Sequence, residues 1–199
     1  SELSIDLEFM LDFLVRLLNT PSPTGFSDAA INLVEEALKG FTNLEFSRTR
    51  KGGLLARWQG SSDAHPRALT AHVDTLGAMV KEIKPNGRLK LTKLGGYAWN
   101  TVEGEGVRVY TMAGKTIRGS ILLAKSSSHV HGAATNDTKR DDDSMEVRLD
   151  EKTTSAMETR ELGVEVGDFV AFDPRVEINN GFVRSRHLDD KACVANIVA

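Results

Sequence analysis

The chain has 199 residues, 40% of them hydrophobic, which is enough to bury a real core in one domain or two small ones. Its 25 Lys and Arg against 28 Asp and Glu leave a net charge of −3 with no basic stripe, so nucleic acid is not an expected partner. A single cysteine, Cys193, excludes an internal disulfide framework and suits a reducing cytoplasm, and no apolar run approaches the roughly 20 residues of a membrane span.

No signal-peptide pattern is present, and Ser1 reads as a processed or engineered start. Leu3 to Leu18 carries Leu and Phe at helical spacing with Asp6, Glu8 and Asp12 on the other side, which predicts an amphipathic helix. The stretch "TPSPTG" at Thr20–Gly25 breaks that helix, and its role as a turn accounts for it without any chemistry. Ser27 or Asp28 can cap a second helix running to about Lys39, which Gly40 ends. Leu44–Arg48 and Leu54–Trp58 read as strands around the "RKGG" turn, followed by a polar loop in which His65 is expected to face solvent.

Ala68 to Gly77, "ALTAHVDTLG", reads as a short buried strand ending in polar side chains. Two residues apart on a strand, His72 and Asp74 share a face. An imidazole that binds a metal through one nitrogen needs a partner for the other, and Asp74 is placed to be that partner or a ligand itself. A strand-end histidine beside a solvated aspartate is the plainer alternative.

From Ala78 to Val176 strand-like runs such as "AMVKEI", "RLKLTKL", "VRVYTM" and "TIRGSILLA" alternate with glycine-rich turns, predicting an all-β barrel or sandwich. Within it, Lys125–Ser144 is polar and expected to be mobile. On a strand, His129 and His131 would share a face and could meet Asp141 to Asp143 at a metal, although a strand end leading into a solvated acidic loop is the expected state. A short helix from about Ser155 to Leu162 with Gly163 as its cap follows, then Asp168 as a turn residue and a hairpin around Asn179, Asn180 and Gly181. The second strand of that hairpin is expected to carry His187 on the same side as Asp189.

Arg186–Val194, "RHLDDKACV", places adjacent carboxylates Asp189 and Asp190 before an Ala- and Val-rich helical run. Unpaired, such neighbours repel, so a multivalent cation or a basic partner is the expected reason for the pairing.

"AHVDTLG" followed by "SRHLDDKA", with a β-rich insertion between, resembles the dinuclear-metal aminopeptidases that include glutamyl aminopeptidases and the tetrahedral TET peptidases. Ala71–Leu91 resembles most the branch found with bacterial synthesis of an N-acetylglutaminylglutamine amide osmoprotectant. The resemblance implies an α/β/α sandwich, incomplete here, with an inserted barrel-like domain: residues 1–76 and 178–199 in the α/β part, and 77–177 as a lid and dimerisation domain. It implies a cytoplasmic homo-oligomer acting on short peptides with two divalent ions, zinc or else cobalt or manganese. His72 would be a terminal ligand, Asp189 the bridging carboxylate and Asp74 the catalytic residue orienting His72, with Asp190 bonding locally or holding an unusual turn.

Family members continue well past the Asp-Asp pair to a Glu-Glu pair that supplies the general base, so none of these 199 residues takes that role. The closing "ACVANIVA" has no stop signal, and the chain is expected to be a truncated, inactive piece of a longer enzyme. Cys193 stands where the family usually has glycine, which is expected to add a side chain at a close helix–sheet contact. Two other classes remain open: a glycoside hydrolase, poorly supported by two Trp and two Tyr, and a non-catalytic binding module built on the insertion.

Overall fold

The computed structural model describes residues 5–62 and 64–199; Leu3, at the expected start of the first helix, lies outside them. The chain divides into two compact units, one formed by residues up to Thr75 together with Pro174–Ala199, the other by Leu76–Asp173.

In the first unit helix α1 spans Leu7–Asn19, where Asp6 caps it by accepting the Phe9 N–H at 3.0 Å. Its apolar positions recur every three to four residues, and Phe13, Leu14, Leu17 and Leu18 are buried. The prolines of "TPSPTG" cannot continue it, and Thr20 turns to extended backbone. Helix α2 is Asp28–Leu38, followed by strands β1, Leu44–Arg48, and β2, Leu54–Trp58, which pair antiparallel. Beyond the barrel the chain returns through strands β9, Glu177–Asn179, and β10, Phe182–Arg184, whose turn places Asn180 and Gly181 at positive φ. Helix α6, Leu188–Val198, then packs Val194, Ala195 and Val198 into one core with α1, Ala30 and Val34 of α2, and Val73.

The second unit is a closed antiparallel barrel. Its strands are β3 (Gly77–Ile83), β4 (Leu89–Leu94), β5 (Gly106–Tyr110), β6 (Thr116–Leu123), β7 (Met145–Leu149) and β8 (Phe169–Phe172), in the order β3-β4-β7-β6-β5-β8. Alternate residues point inward, as the two-residue period requires: Val107 and Val109 on β5, and Ile117, Ile121 and Leu123 on β6, are buried. Pairing of β3 with β8, Ala78 opposite Val170, closes the ring and leaves no strand edge open. Helices α3 (Ser128–His131) and α4 (Ala134–Asp137) lie between β6 and β7, and α5 (Ala156–Glu161) lies between β7 and β8. Ser155 and Glu158 form a reciprocal capping box at the start of α5. Asp168 is a turn residue, as expected, but a fully buried one that accepts the N–H groups of Met112 at 2.9 Å and Glu165 at 2.7 Å.

Four local expectations are corrected. Ala68–Asp74 is not a strand, and Leu69 is 80% exposed. A strand needs a hydrogen-bonded neighbour along its length, and here the bridge is a single one, Pro23 with Thr75. His129 and His131 lie in the helical turn α3 rather than on a strand, because the backbone closes Ser127–Gly132 into local bonds. The acidic loop after them is bonded rather than simply solvated: Trp99 Nε1 donates to Asp142 at 2.5 Å, Lys90 pairs with Asp143, and Asp141 accepts the Ser144 N–H at 3.0 Å. His187 is not on β10 but follows it at φ 71°, immediately before α6. Among the described residues no helix is long and apolar enough to cross a membrane.

Candidate metal centre

His72 and Asp74 are held in place by the residue between them. Val73 is buried in the first unit's core, while His72 is exposed and Asp74 half-buried. His72 Nδ1 lies 3.0 Å from Asp74 Oδ1 and 3.2 Å from the Asp74 carbonyl. On the far side, Asp74 Oδ2 accepts the Thr24 hydroxyl at 2.7 Å.

Asp189 and Asp190 stand where α6 departs from helical geometry, at φ/ψ of −84°/107° and −119°/23°, and the peptide bond between them is cis. The regular helix follows, and its first residue, Lys191, is fully buried. Lys191 Nζ donates to the carbonyls of Leu17 at 2.9 Å and Thr20 at 2.7 Å, tying the helix behind the acidic pair to the C-terminal end of α1. Burial without a carboxylate alongside lowers the Lys191 pKa to about 8.

The arrangement brings His72 Nε2 within 3.3 Å of Asp189 Oδ1. Burial of the ring pulls its pKa down, but the hydrogen bond to Asp74 and the charges of Asp74, Asp190 and Asp189 outweigh this and raise it above the ordinary histidine value. With the Nδ1 proton assigned to Asp74, a neutral ring turns the Nε2 lone pair toward a carboxylate oxygen. Two facing lone pairs need a positive charge between them, either a second ring proton or a cation.

The donors suit a cation. A tetrahedral zinc ion with bonds of about 2.1 Å spaces neighbouring ligands about 3.4 Å apart, close to the 3.3 Å seen here. No group of three or more His, Cys, Asp or Glu is arranged around a common point among the described residues. Among the described residues His129, His131 and Asp141 to Asp143 are likewise not assembled into a site.

Cys193 corrects another expectation. Its side chain is exposed rather than wedged at a packed contact, one turn into α6. Its thiol donates to Asp190, and that bond, together with burial and the charges of Asp190 and Asp189, pushes its pKa up, so the thiol stays protonated. The contacts of Thr24 and Lys191 were not apparent from the sequence; the signals available were the hydroxyl in "TPSPTG" and the lysine that follows the acidic pair.

Residues 52–199 match the family of M42 glutamyl aminopeptidases. The chain belongs to that family. The Bacillus subtilis protein described as aminopeptidase YhfE is 49% identical over 186 residues, which are 93% of this chain and 53% of that protein. A lysyl aminopeptidase of Pyrococcus furiosus is 25% identical over 187 residues, 92% of this chain and 51% of that one. The chain therefore spans about half the length of the curated relatives it matches.

Solved structures agree on the fold. Aminopeptidase APDkam598 from the archaeon Desulfurococcus kamchatkensis superposes with a TM-score of 0.82 at 24% identity, over 95% of this chain and 50% of that one. The TET1 peptidase of Pyrococcus horikoshii, which can assemble into a tetrahedron or a large octahedral shell, gives 0.78 at 23% identity, over 95% and 54%. A Thermotoga maritima protein described as an endoglucanase gives 0.75 at 20% identity, over 93% and 52%. The mixed fold with its inserted barrel is that of the M42 family, and none of these names bears on the osmoprotectant branch.

Proposed function

We propose that the protein carrying this chain is a metal-dependent aminopeptidase that hydrolyses amino-terminal bonds of short peptides. Family membership supports the reaction class, and one observation supports the site: His72 is set between Asp74 on Nδ1 and Asp189 on Nε2. A pair of divalent ions at this place, with zinc best suited to the mixed nitrogen and oxygen donors and cobalt or manganese as substitutes, would supply a water of lowered pKa and polarise the scissile carbonyl.

The roles of the chain's own residues follow from their contacts. Asp74 holds the His72 ring by its Nδ1 proton, which leaves Nε2 as the donor and makes the ring more basic. Asp189 presents a carboxylate that is 96% exposed, with both oxygens accessible for bridging. Asp190 accepts the Cys193 thiol. None of these residues takes the general-base role.

Assembly of related TET1 into closed shells supports homo-oligomerisation here, with Leu76–Asp173 as the contacting element. The single cysteine suits a cytoplasmic setting.

The test uses the full-length protein. His72→Ala and Asp189→Asn should each lower zinc affinity and release of p-nitroaniline from aminoacyl anilides by at least about 100-fold. Unchanged zinc binding and turnover in both variants would overturn the assignment.

A further inference from the structure

A carboxylate with one bonded oxygen still turns about its Cβ–Cγ bond. Asp74 is bonded on both oxygens, Oδ1 against His72 Nδ1 at 3.0 Å and Oδ2 against the Thr24 hydroxyl at 2.7 Å. We propose that Thr24, in the turn between α1 and α2, is a positioning residue: its hydroxyl fixes the plane of the Asp74 carboxylate and so the direction of the His72 ring. The inference rests on the reading of His72 as a metal ligand.

The turn does not need this hydroxyl for its own placement. Thr75 N donates to the Ser22 carbonyl at 2.8 Å, Thr24 N donates to the Thr75 carbonyl at 3.3 Å, and Ser22 Oγ donates to the Val73 carbonyl at 2.6 Å. These contacts join "TPSPTG" to the His72–Asp74 segment through main-chain atoms and through one buried serine. Burial does not explain the bond either, since Thr24 is exposed and its hydroxyl could be satisfied by water. A short bond to an ionised acceptor is instead of the stronger, direction-setting kind. The same turn is held from the other side, where the Thr20 carbonyl accepts Lys191 from the helix behind Asp189. Thr24, Asp74, His72 and Asp189 thus form one continuous run of contacts, from a turn to the two candidate ligands.

The experiment titrates zinc alone, against a competing chelator, into metal-free full-length protein. Thr24→Val should weaken zinc binding about tenfold, the lower end of the range for groups that support a metal-bound histidine, with Thr24→Ala showing the same loss. Thr24→Ser should restore it. Ser22→Ala removes the buried bond to Val73 but leaves Asp74 untouched; it should lower the melting temperature and leave zinc affinity as it was. Zinc affinity unchanged in Thr24→Val, or unrestored in Thr24→Ser, or lost equally in Ser22→Ala, overturns the role of Thr24 provided that His72→Ala loses zinc. If His72→Ala binds zinc as well as the parent, the metal-site reading itself is what fails.

Discussion

Two buried charges show how differently a single residue can be accommodated. Glu146 on β7 is almost wholly buried and is met by two cations, Lys84 at 2.6 Å and Arg88. Lys191 is met instead by main-chain carbonyls of Leu17 and Thr20. Leu17 O also accepts the Thr20 N–H at 3.1 Å, so removing the ammonium orphans the Thr20 carbonyl alone. Lys191→Met should therefore cost about 1 to 2 kcal/mol, partly offset by relief of the buried charge. Urea unfolding checks this, and a variant as stable as the parent would show that the contact adds nothing. At this scale the sequence was informative about pairs close in the chain: the spacing of His72 and Asp74 puts them within reach of one another. Thr24 and Asp74 are 50 positions apart and Lys191 and Leu17 174 apart, and nothing local in either member announces the other. The approach of Asp189 to His72 was inferred only through the family resemblance.

Among the elements, β6 passes so close to β7 that a Cβ on Gly119 would lie 2.7 Å from the Arg148 carbonyl, which belongs to the paired strand. Main chain cannot yield as a side-chain end would, so Gly119→Ala should cost about 1 to 3 kcal/mol. Acid should act on the same unit. Arg118 bonds Asp173 and holds its carboxyl below the usual range against the opposing effect of burial, with Arg108 assisting; bonds from Thr154 and Ser155 do the same for Glu158 at the start of α5. Both carboxyls bind fewer protons folded than unfolded. Their contribution is thus present above the ordinary carboxylate pKa of about 4 and is lost as pH falls through the depressed folded values. Trp99, buried in the barrel, reports on this, and in the 199-residue chain Trp58→Phe leaves it the sole indole. In that background Asp173→Asn should flatten the acid limb of the urea midpoint; an unaltered limb would place the effect elsewhere. Strands with alternating burial and glycine turns between them were legible, because period and punctuation are local properties. Ala68–Asp74 was misread for the opposite reason, since apolar residues can suggest a strand but only a neighbouring chain can complete one. Two alternating histidines likewise carried no period to distinguish a strand from the turn of helix at Ser128–His131.

For the whole molecule, the barrel has its own core, from Val80 and Leu91 to Val147 and Val170, and should fold when expressed alone as Leu76–Asp173. Cooperative loss of Trp99 fluorescence in urea would establish this, while a broad, non-cooperative loss would show dependence on the remaining chain. Its first and last strands are neighbours in the ring, with Ala78 opposite Val170 and Met79 opposite Phe169. The polypeptide therefore enters and leaves the barrel side by side, much as it would through a hairpin. A lineage could gain, lose or replace such a cassette in one genetic step, with a short turn bridging the gap, and selection could then reshape the inserted piece on its own schedule.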